Sequence, residues 1–211
     1  MKDFPMFATE YGAASLILRE IPYRGIAYIR IQDSREPEKL VEECAEFCRM
    51  SGAERIYAAG DPWLERLPLH AAVWEMRGAV PLRQELIKAL WPVTWENAAR
   101  FRELYNGRMR EVDNAGTLEK KDENRLAEES GGYFVHDGSA LLGLGIVKED
   151  RLEALASLTP GVGETVLHTL ASINPGEPLT LEVASTNTRA IRLYERSGFL
   201  KTRELSRWYE L

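Results

Sequence analysis

The chain has 211 residues, 45% of them hydrophobic and 28% charged, with 27 basic against 33 acidic side chains. That composition fits a folded globular protein of one large or two small domains and excludes disorder, collagen and coiled coil. Cut after residue 82, the net charge is −3 on each side (10 basic and 13 acidic, then 17 and 20), so no basic arm or domain points to nucleic acid. No apolar run reaches the ~18 residues of a membrane span. Residues 1–10 carry acids and a proline and no apolar signal core, so the cytoplasm is the expected compartment. Cys44 and Cys48 lie four apart in a helical pattern, where buried reduced thiols are the ordinary reading and a metal site the weaker one.

In chain order, residues 14–21 and 25–31 form a strand pair around Pro22-Tyr23-Arg24. Pro37 opens a helix over 37–51 with Leu40, Val41, Cys44, Phe47 and Cys48 on one face. A short strand covers 55–59, and residues 69–77 are expected as a helix capped by Gly78. After a junction over 79–85, residues 86–93 are a strand, and Thr94 caps a helix over 95–112. A polar helix covers 117–130. Residues 133–135 and 140–147 make a hairpin whose Asp137-Gly138 pair predicts a tight primed turn. Strand 151–158, helix 164–173, strand 179–184, helix 187–197 and an extended tail over 199–211 complete the chain.

Two segments carry chemistry. Pro160-Gly161-Val162-Gly163 joins a strand to a helix. The free N–H groups at that helix start, with the positive end of the dipole behind them, make an anion site in principle; a plain strand–helix turn is the blander reading. The segment is not a P-loop, since no Gly-Lys-Ser/Thr follows, and Val166 breaks the dinucleotide fingerprint. In the second segment Asn187 and Tyr194 are seven residues apart. On a helix this is ~700°, within ~20° of one face and ~10.5 Å along the axis. One face thus carries an amide at the helix start and a phenol two turns on, or, more plainly, an N-cap and a core tyrosine.

The pattern N-x-x-A-x-x-L-Y-x-x-x-G-F, filled by Asn187, Ala190, Leu193, Tyr194, Gly198 and Phe199 after Leu181-Glu182-Val183, resembles the C-terminal motif of the GNAT acetyltransferase superfamily. The element order over residues 86–211 resembles that fold as well. The resemblance implies an α/β (α+β) domain with a mixed, mostly antiparallel sheet and a splayed central strand pair over 83–211, preceded by a smaller α/β segment over 1–82. It implies acetyl-CoA as donor, with the pyrophosphate on the amides of Gly161, Val162, Gly163, Glu164 and Thr165. The pantetheine arm would pair with Leu155, Ala156 and Ser157, and Asn187 would bond it. Tyr194 would protonate the departing thiolate, which suits a phenol of pKa ~10. Holding amine and thioester together is worth ~7–11 kcal/mol.

The cofactor turn departs from the family pattern. Leu158 stands where a Gln or Arg is usual, and Glu164 follows Gly163, so a positive charge is missing and an acid lies near the expected phosphates. Six basic residues over 187–207 (Arg189, Arg192, Arg196, Lys201, Arg203, Arg207) offer partial compensation. Glu182 is the first candidate base toward the amine, with a half-exposed strand carboxylate as the plain alternative; Glu153 is the second. His136 reads as a turn residue and His168 as a packing or surface residue.

Residues 1–82 read as a worn copy of the later pattern, with Trp74 preceding Gly78 as Tyr194 precedes Gly198; chance similarity is the rival. This segment is expected to shape acceptor specificity or form a homodimer face. The expected function is N-acetylation of a small-molecule amine or peptide amine, with no nucleic-acid or membrane partner and no metal. The alternative is a weak or inactive CoA-binding module acting through partners.

Overall fold

The computed structural model describes residues 5–211. They form two compact units: the residues up to Val73 with Glu204–Leu211, and Trp74–Arg203. The expected cut between residues 82 and 83 falls inside the second unit.

The first unit runs through β1 (Met6–Thr9), β2 (Gly12–Ile17), α1 (Ile21–Arg24), β3 (Ile26–Ser34), α2 (Pro37–Met50) and β4 (Arg55–Ala59). β1, β2 and β3 are antiparallel neighbours. β3 and β4 are parallel and paired from Ile26↔Arg55 to Arg30↔Ala59. α2 is the crossover between them; Pro37 fits its first turn, where no N–H is needed. Its buried stripe of Leu40, Val41, Cys44, Ala45 and Cys48 packs on Ala14, Leu16, Ile29 and Ile56. Burial pushes the Cys44 and Cys48 thiols up to about 12 and about 11, so both stay protonated and inert.

Residues 69–77 are not a helix. They belong to β5 (Leu69–Gly78). Ala, Leu, Met and Glu lend the segment helix propensity, but tertiary pairing overrides so weak a preference. Gly78 is a packing residue rather than a cap: a Cβ there would stand 2.4 Å from the Gly198 carbonyl oxygen. Trp74 is therefore a strand residue and no counterpart of Tyr194.

The second unit continues with β6 (Ala89–Pro92), α3 (Ala98–Met109), α4 (Lys120–Glu128), β7 (Gly132–His136), β8 (Leu141–Lys148) and β9 (Arg151–Ser157). α5 (Gly163–Ala171), β10 (Leu179–Ala184), α6 (Thr188–Arg196) and β11 (Leu200–Glu210) follow. The boundaries between the units fall within β5 and β11. β6, β7, β8 and β9 form an antiparallel run, and β10 lies parallel to β9.

Two local expectations change. Thr94 opens a turn instead of capping α3: its N–H donates to Asn97 Oδ1 at 2.8 Å, and the helix starts at Ala98. The hairpin turn is also broader than a primed Asp-Gly turn. It spans Asp137–Ala140, and of its residues only Gly138 has positive φ, +96°. The Asp137 carboxylate accepts from the N–H groups of Ser139 (2.9 Å) and Ala140 (2.8 Å). Those bonds favour the charged form and bring its pKa down to about 2.

Helices cover both faces of the β6–β10 sheet. α3 and α4 bring Phe101 and Leu126 onto Phe134, Leu144, Ala154 and Ala156. On the other face α5 and α6 pack Val166, Leu170, Ile191 and Tyr194 against Leu179, Leu181 and Val183. α5 approaches closely because β8 carries Gly143 and Gly145. A Cβ at Gly143 would lie 2.4 Å from Val166 Cγ2, and one at Gly145 would lie 2.3 Å from Leu170 Cδ1 and 2.8 Å from the Ala154 carbonyl oxygen.

Gly145→Ala is therefore expected to cost ~1–3 kcal/mol by overpacking, read as a lower urea midpoint. Gly107→Ala, inside α3 with nothing within 4 Å of the added Cβ, is expected to stabilise by ~1 kcal/mol. Equal effects at the two positions would contradict the seating of α5.

Candidate active site

β9 and β10 meet at one register pair, Arg151↔Thr180, reinforced by the Thr180 N–H donating to the Asp150 carbonyl at 2.7 Å. Beyond it they share no further pair among the described residues. A bulge sits beside the point of divergence. β8 pairs Val147 with Leu152 and Ile146 with Ala154, so Glu153 is the extra residue. A bulge bends its strand and breaks the ladder. β8 remains paired with β9 to Ser157, so among the described residues Leu155, Ala156 and Ser157 have a partner strand on one edge.

The chain then turns at Gly161, whose φ is +84° and whose absent Cβ faces open space. α5 starts at Gly163, where an added Cβ would stand 3.3 Å from both Ser157 Oγ and Leu193 Cδ2. The end of β9, the start of α5 and α6 thus converge. The N–H groups of the first turn of α5, Gly163 to Thr165, have no partner within the helix.

Glu164 pairs with the Arg83 guanidinium. The Arg83 N–H donates to His168 Nδ1 at 3.3 Å, which requires a neutral imidazole there. Burial, and then Arg83, hold the His168 pKa below its usual value. His168 is buried and fixes the chain beside α5, so of its packing and surface readings the structure takes the first. Lys88 N–H donates to Thr169 Oγ1 at 3.0 Å one residue further along the helix. Arg83 was invisible as a partner because 81 residues separate it from Glu164.

Asn187 caps α6, its Oδ1 accepting from Ala190 N–H at 3.1 Å. Tyr194, 8% exposed, packs on Phe199 with ring centroids 5.7 Å apart. Burial pushes its phenol up to about 12. Glu182 lies on the face of β10 opposite to Leu181 and Val183, half exposed, and its Oε1 accepts from Arg151 Nη2 at 2.8 Å. A second carboxylate, Glu75 of β5, lies in the segment whose composition predicts a helix and has no place in a sequence-based site. It accepts from Thr202 Oγ1 at 2.9 Å and from Arg203 Nη2 at 3.0 Å. Those bonds lower its pKa, and Arg151 adds to the effect. Of the six basic residues expected to offset the turn, Arg203 serves Glu75, Arg207 pairs with Glu204, and Lys201 sits over the Trp74 ring.

No protein-family model matches this sequence, and no curated protein does. Solved structures match it in fold. A functionally unknown conserved protein from Staphylococcus epidermidis aligns with a TM-score of 0.58 at 11% identity, over all of this chain and 94% of its own. GCN5-related N-acetyltransferases from Anabaena variabilis and Kribbella flavida align with a TM-score of 0.60 at 13% and 17% identity. Each covers 95% of this chain, which spans 59% and 57% of their lengths. The chain has the fold of the GCN5-related N-acetyltransferases.

The buried phenol has a signature of its own. Its folded pKa lies above the ~10 of an unfolded tyrosine. Stability is unaffected below about pH 10 and falls as pH rises toward 12, because only the unfolded state then loses the proton. Tyr194→Phe is expected to flatten that alkaline loss in urea melts; an unchanged profile would contradict the burial.

Proposed function

We propose that the chain moves an acetyl group from acetyl-CoA to a primary amine of a small molecule or peptide, by direct attack of the amine. The observation that carries this reading is the single pair between β9 and β10. It leaves a strand edge that an extended, amide-bearing chain can join as an added strand. The turn also fits such a ligand, since the place of the Gly161 Cβ is open and the first amides of α5 stand beside it.

When bound, acetyl-CoA supplies an acyl carbon joined to a thiolate leaving group. The edge of Leu155, Ala156 and Ser157 orients the arm. The amides of Gly161 to Thr165 take the charged end, and the NH2 of Asn187, whose Oδ1 is engaged in the cap, adds a donor. The amine nitrogen bonds to the acyl carbon as the carbon–sulfur bond breaks. Tyr194 holds a proton for the sulfur, and a phenol pushed up to about 12 stays loaded at every working pH. The amine's proton leaves through water toward Glu182, whose pairing with Arg151 favours relay over direct contact.

Only the β3–α2–β4 part of the first unit favours the reading of a repeated half without a cofactor slot, since the second helix of that reading is strand β5. It repeats the order strand, helix, parallel strand, but its β3 and β4 are closed from Ile26↔Arg55 to Arg30↔Ala59. The second functional reading, a binding module with little turnover, is favoured by Leu158 and Glu164 in the turn.

Calorimetric titration with acetyl-CoA, joined to thiol release over a panel of amines, separates the two. The expected outcome is binding with turnover, and a Tyr194→Phe variant whose kcat falls ~10²-fold while Kd hardly moves. Binding without turnover favours the module, and a flat titration overturns both.

A further inference from the structure

We propose that Arg83 is the cation of the phosphate site. Its guanidinium, stationed by Glu164 at the first turn of α5, replaces the basic residue that the turn after β9 lacks. This rests on the acetyl-CoA reading above and adds a residue to it.

Three observations carry it. First, the acid that spoils the turn is matched on the spot: Arg83 Nη2 pairs with Glu164 Oε1, while Arg83 Nε stands 4.0 Å from Glu85. Second, the Arg83 backbone is fixed where a tether would have to be. Its N–H donates to the buried His168, and Lys88 N–H donates to the buried Thr169. Residues 83 to 88 are thereby stapled at two points to the last turn of α5, one helical turn beyond Glu164, so the Arg83 side chain has only that turn to span back to the helix start. Third, the two side chains are 49% and 45% exposed. An exposed pair of this kind is weakly held, so the dianionic pyrophosphate can draw the guanidinium from Glu164, and Arg suits phosphate by its bidentate fork. Without Arg83, Glu164 would confront the phosphates uncompensated.

The test uses the full-length chain and two probes, acetyl-CoA and acetylpantetheine, which lacks every phosphate. Arg83→Ala is expected to weaken acetyl-CoA binding about tenfold, the size of one charge-assisted hydrogen bond, and to leave acetylpantetheine unchanged. Arg83→Lys recovers part of the loss, and Arg83→Ala with Glu164→Gln recovers more by removing the stranded acid. Glu164→Gln alone tightens acetyl-CoA binding, which keeps the test open should Arg83→Ala fold poorly. An unchanged acetyl-CoA Kd in Arg83→Ala, an equal loss on both probes, or weaker binding in Glu164→Gln overturns the role of Arg83 alone. A native chain that binds neither probe overturns the acetyl-CoA reading, and this inference with it.

Discussion

The structure turns on a sheet that stops pairing in its middle. Parallel neighbours ordinarily exchange hydrogen bonds along their whole shared length, and an unpaired backbone edge must find water or a ligand. β9 and β10 share one pair and part. The same chain shows the ordinary outcome in its first unit, where β3 and β4 zip together with α2 as the crossover. The difference lies in local devices: the bulge at Glu153 bends β9 at the point of divergence, and α5 and α6 fill the space beneath the parted strands.

α5 is positioned by small residues and buried polar ones acting together. Gly143 and Gly145 let Val166 and Leu170 reach the β8 backbone. His168 and Thr169 accept hydrogen bonds from the chain at residues 83 and 88, which satisfies two buried polar side chains and fixes the segment. The result places the amides after Gly161 at one end of the open edge. α6, which follows β10, carries the Asn187 cap at its start and the buried Tyr194 two turns on. Of the carboxylates near the divergence, Glu75 and Glu182 are both ion-paired, so neither is a free base in the resting chain.

Much of this was readable from residue types alone. Glycines and caps mark the boundaries of β9, α5, β10 and α6, and the Asn187–Tyr194 spacing marks a helix face. Where reading failed, the deciding partner was either remote or a backbone group of the same turn. Residues 69–78 have the composition of a helix and become a strand through pairing. The Asp137-Gly138 turn widened because the Asp137 carboxylate captures two backbone N–H groups beyond it. Glu164 looked like a flaw in an anion site, since its partner Arg83 lies 81 residues earlier. Charge pairs of that range leave no periodic trace in a single sequence.

Amide hydrogen exchange across Leu152–Ser157, with and without acetyl-CoA, bears most directly on the open edge. Amides turned toward β8 should be protected throughout. Those turned toward β10 should exchange quickly in the free chain and slow sharply once acetyl-CoA is added. Uniform protection in the free chain, or fast exchange that acetyl-CoA leaves untouched, would contradict the account.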